Sequence, residues 1–362
     1  MKAIVLEAAG QVGCRDLPMP EVPSGWALIR VGWCGVCGSD MPRMFTKGAH
    51  RMPLVCGHEM AGVIAALGPD TAGAPVGDRA VVFPLIWCGA CAACEVGAYV
   101  QCEAYDYLGS RRDGGFAEYV AAPVRNLLPV PPNVSLASAA MTEPAAVALH
   151  ALRTTGLPLV GRDVAVFGAG PIGLLTAQWA RIMGAKRVFI SDVVAAKLEM
   201  ALGLGFEYLI DATEQSAVDA IREATHGAGV AVAVEAAGVP QTLLAAIRSV
   251  GRGGRVTLLG NPSADVTLPA ELISRIMRQE IALCGVWNST YSVLGGADDW
   301  RAVLNAMAAG TLDAERLVSH RASLSAAPDL LRAIHARTIS ASKVLVGAPI
   351  GPELAGTEGS EL

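Results

Sequence analysis

Charge is scarce in this chain. Asp, Glu, Lys and Arg make up 17% of its 362 residues, against about 25% in an average soluble domain. Basic residues show no surplus: 28 Lys and Arg face 33 Asp and Glu, a net charge of −5. With no basic run either, a nucleic-acid partner is not expected. Long hydrophobic runs are also missing. Although 52% of the residues are hydrophobic, Gly or a charged residue interrupts each apolar stretch before the ~18 residues a membrane span needs. No membrane partner is therefore expected. The apolar stretch between Lys2 and Glu7 falls short of the ~7–15-residue core of a secretion leader. The nine cysteines are accordingly read as reduced thiols of a cytoplasmic protein, serving as metal ligands or core residues rather than disulfides. High hydrophobicity with low net charge excludes a disordered chain.

What is present is glycine, 40 residues spread along the whole sequence, and enough length for two domains. Residues 2–7, 26–32, 61–67 and 79–83 are short, β-branched and bounded by Gly or Pro, which predicts an all-β module. Residues 135–156 are predicted to be helical, with a break near Pro144. From Gly161 onward, apolar strands alternate with helices of ~10–15 residues, the pattern of a parallel sheet covered on both faces. The tail from 298 to 346 is predicted to hold two helices and a last strand at 343–346, and the last dozen residues read as a frayed end.

Three constellations carry chemistry. Cys88, Cys91, Cys94 and Cys102 follow C-x2-C-x2-C-x7-C inside a lobe at 86–105. Four thiolates close the coordination sphere of a tetrahedral, structural zinc; an iron–sulfur cluster takes the same ligands. A second set is mixed: Cys37, His58, Glu59 and Glu143. A thiolate, an imidazole and a carboxylate leave zinc one open position, as catalysis requires. The third is Gly168-Ala-Gly170-Pro171-Ile172-Gly173, which follows the apolar run DVAVF and opens a predicted helix. There the glycines permit a tight turn, close approach of pyrophosphate and helix–strand packing. Asp192 ends the next strand at the spacing of a ribose-binding carboxylate, which favours NAD over NADP.

These pieces, in this order, resemble the zinc-dependent medium-chain dehydrogenases, in particular their polyol branch. The marks are CGVCGSD (34–40), GHEMAGVIAALG (57–68), the four-cysteine lobe, GGFAEY (114–119) and GAGPIG (168–173). TEPAAVALHALRTTG (142–156) is similar to sorbitol dehydrogenases; segments 37–59, 104–119 and 235–242 are similar to galactitol-1-phosphate 5-dehydrogenases. The resemblance implies an α/β fold, a GroES-like β module plus a central Rossmann doubly wound parallel sheet. Its domains would be 1–150 (catalytic), 151–290 (NAD-binding) and 291–362 (a return to the catalytic domain). It also implies two zinc ions per subunit and NAD, with Cys37 and His58 on the catalytic zinc and Glu59 or Glu143 completing the set. Ser39 would relay the alcohol proton, Asp40 would orient the histidine, and Lys197 would lie near the cofactor ribose.

The implied reaction is oxidation of a secondary hydroxyl of a polyol or polyol phosphate to a ketose. The alternatives are an unphosphorylated polyol, cyclitol or aminocyclitol as substrate, or a non-catalytic NAD-binding sensor. Arg43, Lys47, His50, Arg51, Arg111 and Arg112 are the donors available to a phosphate. Asn288 stands near the position of the Arg–Tyr pair that sorbitol dehydrogenases carry after the last Rossmann strand. The apolar strand at 281–287 is expected at the edge of the sheet, where it would pair two subunits into a homodimer or, further, a homotetramer.

Overall fold

Strands from the first 130 residues, joined by two from the end of the chain, form a seven-stranded mixed sheet. Its path runs Leu127–Pro129, Arg79–Val82, Glu59–Leu67, Trp26–Gly35, Lys343–Gly347 and Val318–Ala322, with Tyr119–Pro123 also paired to Trp26–Gly35. Gln11–Asp16, Lys2–Ala8 and Leu54–Val55 make a smaller sheet beside it. The computed structural model describes residues 1–296 and 298–347; the frayed end expected at the C-terminus lies outside the described residues. By contacts the chain forms two units, Met1–Glu143 with Thr290–Leu362, and Pro144–Ser289.

In the first unit the long central strand sets the register of everything around it. Glu59–Leu67 pairs antiparallel on one side, with Gly35 opposite Glu59. Lys343–Gly347 pairs antiparallel on the other, with Leu345 opposite Gly35. Ile4, Ile29, Ile64, Phe116, Leu331 and Val344 are buried together beneath these strands. Val318–Ala322, parallel to Lys343–Gly347, is a strand that the polar sequence VSHRA did not predict. Residues 290–300 are tied in by an aromatic cluster. Tyr291 stacks on Phe83 at 4.3 Å, Trp300 meets Phe83 edge-on at 5.2 Å, and Tyr291 Oη donates to the Arg125 carbonyl at 2.6 Å. Such ring pairs add about 0.5–1.5 kcal/mol each beyond their buried area.

The helical stretch at 135–156 is interrupted at Met141, not at Pro144. Leu136–Ala140 ends there, and Thr142–Arg153 begins with Pro144 in its first turn. Proline is tolerated in that turn because its missing N–H has no intrahelical partner to lose.

The second unit is a six-stranded sheet, parallel throughout. Its strands in chain order are Asp163–Phe167, Arg187–Asp192, Tyr208–Asp211, Val230–Glu235, Val250–Leu258 and Ala282–Gly285. Their spatial order is 3-2-1-4-5-6, the doubly wound arrangement that binds dinucleotides where the order reverses. Near-continuous burial of Asp163–Phe167 and Val230–Glu235 follows from helices on the sheet's faces. No helix among the described residues is long and apolar enough to cross a membrane.

Candidate active site

Two adjacent strands of the first unit bring Cys37, His58 and Glu59 together. Cys37 lies two residues past the end of Trp26–Gly35, His58 immediately precedes Glu59–Leu67, and Glu59 begins it. Donor atoms of Cys37, His58 and Glu59 lie within 4.8 Å of one another. Gly35 makes room for this: a Cβ there would stand 2.1 Å from Glu59 Oε2. Glu143 is near them but outside that group. It is buried, and its Oε1 accepts a hydrogen bond from Tyr107 Oη at 3.4 Å.

Asp40 backs this group of donors. It is fully buried, accepts from the Cys37 N–H at 3.0 Å and from Arg43 Nη1 at 2.6 Å, and lies 3.5 Å from His58 Nδ1. His58 Nδ1 is a buried nitrogen with no hydrogen bond of good geometry. Facing a carboxylate, it leaves the opposite ring nitrogen to a metal, the usual carboxylate–histidine–zinc relation. Burial alone would depress the His58 pKa, but the Asp40 carboxylate, with Cys37, holds it well above the ordinary value. Asp40 is lowered although burial opposes this, through His58, Arg43 and the Cys37 N–H. So much negative potential around one imidazole suits a cation.

Lys343 is the residue that sequence reasoning missed. It is 3% exposed, and its Nζ meets Glu59 Oε2 at 2.5 Å and the Val36 carbonyl at 3.0 Å. Burial would lower its pKa, yet Glu59 first, then Cys37, raises it. Glu143 has no such cation bonded to it; burial, reinforced by the charge of Glu59, pushes its carboxyl up to about 7. The two carboxylates thus differ: one is held by an ammonium, the other by a phenol.

The four cysteines of the 86–105 lobe gather around a short helix, Ala92–Glu95, with all four sulfurs within 4.8 Å of one another. Cys91 and Cys94 Sγ are 3.5 Å apart, Cys88 and Cys94 Sγ 3.9 Å. A tetrahedron of ~2.3 Å Zn–S bonds has edges of about 3.8 Å. The Cys88 amide donates to Cys102 Sγ at 3.2 Å. Backbone N–H groups, that of Glu103 foremost, draw the Cys91 thiol down to about 6. The donor set and spacing fit a closed zinc site. Cys34 and Cys56, by contrast, are buried thiols raised by that burial, Cys56 to about 12, and serve as core.

In the second unit, the GAGPIG turn has the geometry of a phosphate cradle. Gly168 adopts φ +107°, and a Cβ on Gly173 would lie 1.8 Å from the Gly168 carbonyl oxygen. At Gly170 a Cβ would meet nothing within 4 Å, so that side of the turn is open at the N-terminus of Pro171–Ile182. Asp192 ties the turn to the next strand, accepting from Ala169 N at 2.7 Å and Val194 N at 2.9 Å. Lys197 Nζ lies 3.5 Å from Asp192.

The arginines named as phosphate donors are largely engaged elsewhere. Arg43 serves Asp40. Arg51 pairs with Asp113 at 2.9 Å and Arg112 with Asp106 at 2.7 Å. Both line a pocket of about 580 Å³ with Leu17, Trp26 and Tyr119, and none of Cys37, His58, Glu59 or Glu143 lines it. Arg111 differs, with no carboxylate partner; its guanidinium lies 4.4 Å over the Tyr105 ring. His50 and Lys47 are exposed. Asn288 occupies a left-handed turn at φ +57°, a conformation Asn tolerates.

Sequence comparison places this geometry in a family. Residues 23–132 match the alcohol dehydrogenase GroES-like domain, and residues 171–309 match the zinc-binding dehydrogenase domain. The chain belongs to the zinc-dependent medium-chain alcohol and polyol dehydrogenases, and is an oxidoreductase of the zinc- and NAD(P)-binding kind. It is 33% identical over 350 residues to galactitol 1-phosphate 5-dehydrogenase of Escherichia coli (strain K12), covering 96% of this chain and 99% of that one. The crystal structure of galactitol-1-phosphate dehydrogenase from Escherichia coli superposes with a TM-score of 0.90 at 33% identity, over 96% and 100% of the two chains. A zinc-binding dehydrogenase from Sinorhizobium meliloti 1021, solved with NADP bound, has a TM-score of 0.86 at 31% identity, over 95% and 98%.

Proposed function

We propose that this protein oxidises a secondary hydroxyl of a polyol phosphate to the corresponding ketose phosphate, using NAD. Cys37 and His58 would hold the catalytic zinc, with Glu59 or Glu143 as the carboxylate; Cys88, Cys91, Cys94 and Cys102 would hold the structural one. The GAGPIG turn would hold the NAD pyrophosphate and Asp192 the adenosine ribose. When bound, zinc supplies a Lewis acid and NAD a hydride acceptor. Ser39, exposed two residues after Cys37, would pass the alcohol proton to solvent. Asp192 would accept from the ribose hydroxyls and repel a 2′-phosphate, which supports NAD even though the Sinorhizobium relative binds NADP.

The observation that carries the phosphate reading is Arg111. Alone among Arg43, Arg51, Arg111 and Arg112 it has no carboxylate partner, and it sits in the segment around residues 104–119. It replaces Arg51 and Arg112 as the expected anion donor. A guanidinium with no carboxylate beside it gives a phosphate a charge-assisted bond that an unphosphorylated polyol cannot make. NADH formation on matched polyols and polyol phosphates tests this. The phosphate ester should have the higher kcat/KM, and Arg111→Ala should cost about 10–100-fold on the ester alone, the worth of one charged hydrogen bond. Equal kcat/KM on both substrates would remove the phosphate and leave an ordinary polyol or cyclitol dehydrogenase.

A cytoplasmic homodimer is part of this reading. Ala282–Gly285 lies at one end of the six-stranded sheet, with Leu283 exposed, and an edge of that kind pairs readily with a second copy.

A further inference from the structure

The two carboxylates beside Cys37 and His58 each take their partner from a distant segment of the same unit. Lys343 holds Glu59. Tyr107 holds Glu143, its hydroxyl donating at 3.4 Å, and Tyr107 also meets the His58 ring edge-on, with centroids 5.8 Å apart and planes at 68°. One side chain therefore touches both an imidazole and a carboxylate of the candidate metal centre. It is well anchored for that task. Asp106–Tyr107 pairs with Leu85–Ile86, and the Tyr107 carbonyl accepts from the N–H groups of Ser110, Arg111 and Arg112 at 3.3, 2.9 and 3.0 Å.

We infer that Tyr107 is a positioning residue of the catalytic metal centre, whose hydroxyl orients Glu143 as a ligand and whose ring fixes the plane of His58. The inference rests on the zinc reading given above. Three physical points support it. A buried carboxylate needs a hydrogen-bond donor, and Lys343 already serves Glu59. A phenol donates to a carboxylate without adding a positive charge that would compete with a metal ion for it. The bond also engages Oε1 alone, which leaves Glu143 Oε2 for a metal ion. Partners of this kind change metal affinity by about 10–100-fold when removed.

The full-length Tyr107→Phe variant keeps the ring and loses the hydroxyl. Zinc content and affinity are measured by competition with a chelator, and the catalytic site is also filled with cobalt(II) to record its visible spectrum. Tyr107→Phe should bind catalytic-site metal ten- to a hundredfold more weakly and alter the cobalt bands, while the four-cysteine site keeps its metal as an internal standard. In a Glu143→Gln background the same change should add no further loss. Unchanged affinity and spectrum in Tyr107→Phe, or an equal loss with and without Glu143, would overturn the inference. Wild-type protein that holds one equivalent of zinc, all in the cysteine lobe, would instead overturn the zinc reading itself. The two failures are thus read from different samples.

Discussion

Replacing Lys343 by methionine removes the ammonium beneath Glu59 while preserving most of the side-chain volume. Lys343 and Glu59 are 3% and 1% exposed, and their contact at 2.5 Å is backed by a bond from Lys343 to the Val36 carbonyl. Removing one member of a buried pair costs about 3–5 kcal/mol, because the remaining charge is left without a partner in a poorly solvating interior. In a domain of 150–250 residues each kcal/mol moves Tm by about 2–4 °C. Metal-free Lys343→Met should therefore melt about 6–20 °C below metal-free wild type. Adding Glu59→Gln removes the stranded charge, so the double variant should recover a large part of the loss. Calorimetry of wild type, Lys343→Met, Glu59→Gln and the double variant, each stripped of metal, gives the coupling energy directly. A loss under about 1 kcal/mol, the worth of an exposed pair, would refute the reasoning, as would a double variant no more stable than Lys343→Met.

The glycine turn and the second carboxylate offer two further checks. Gly173→Ala places a methyl 1.8 Å from the Gly168 carbonyl oxygen and should destabilise the protein by about 1–3 kcal/mol or more, seen in urea unfolding. Gly170→Ala meets no atom within 4 Å. It should melt like wild type yet bind NADH at least tenfold more weakly, about 1.4 kcal/mol, by fluorescence titration; wild-type binding would count against the cradle. Glu143 titrates near 7 when folded, against 4.5 for the free side chain, so between these values the folded chain holds the extra proton. Its stabilising contribution is complete below about pH 4.5 and disappears as pH rises through about 7. Relative to metal-free wild type, metal-free Glu143→Gln should gain stability from pH 5 to pH 8; parallel Tm curves would exclude the shift.

Local geometry was legible in the sequence where one contiguous segment supplies it. GAGPIG carries its turn, its open side and its packing contact within six residues, and the spacing to Asp192 is set by one helix and one strand. The four-cysteine lobe is legible for the same reason, since its ligands lie within one short loop. Lys343 is different. It meets Glu59 across 284 positions of sequence, and its only local signal is a lysine opening an apolar strand. Tyr107 likewise reaches Glu143 over 36 positions through a turn whose path no periodicity announces. Arg51 and Arg112 show what neighbourhood in sequence leaves out. Their neighbourhood in sequence suggested the substrate, but Asp113 and Asp106 neutralise them beside a different pocket. Sequence proximity does not reveal which way a side chain leaves a loop.

The arrangement of strands has a consequence for biosynthesis. Gly35, Glu59 and Lys343 meet in one sheet, but the ribosome delivers Lys343 only after it has made every residue of Pro144–Ser289. The parallel-sheet unit, contiguous in sequence, can complete its folding while the nascent β module still waits for a strand and a counter-ion. Until then Glu59 lacks the cation that Lys343 supplies. A messenger cut short before codon 343 would thus yield a chain with an intact nucleotide-type half and an unsatisfied partner half, a defect that quality-control proteases are suited to recognise.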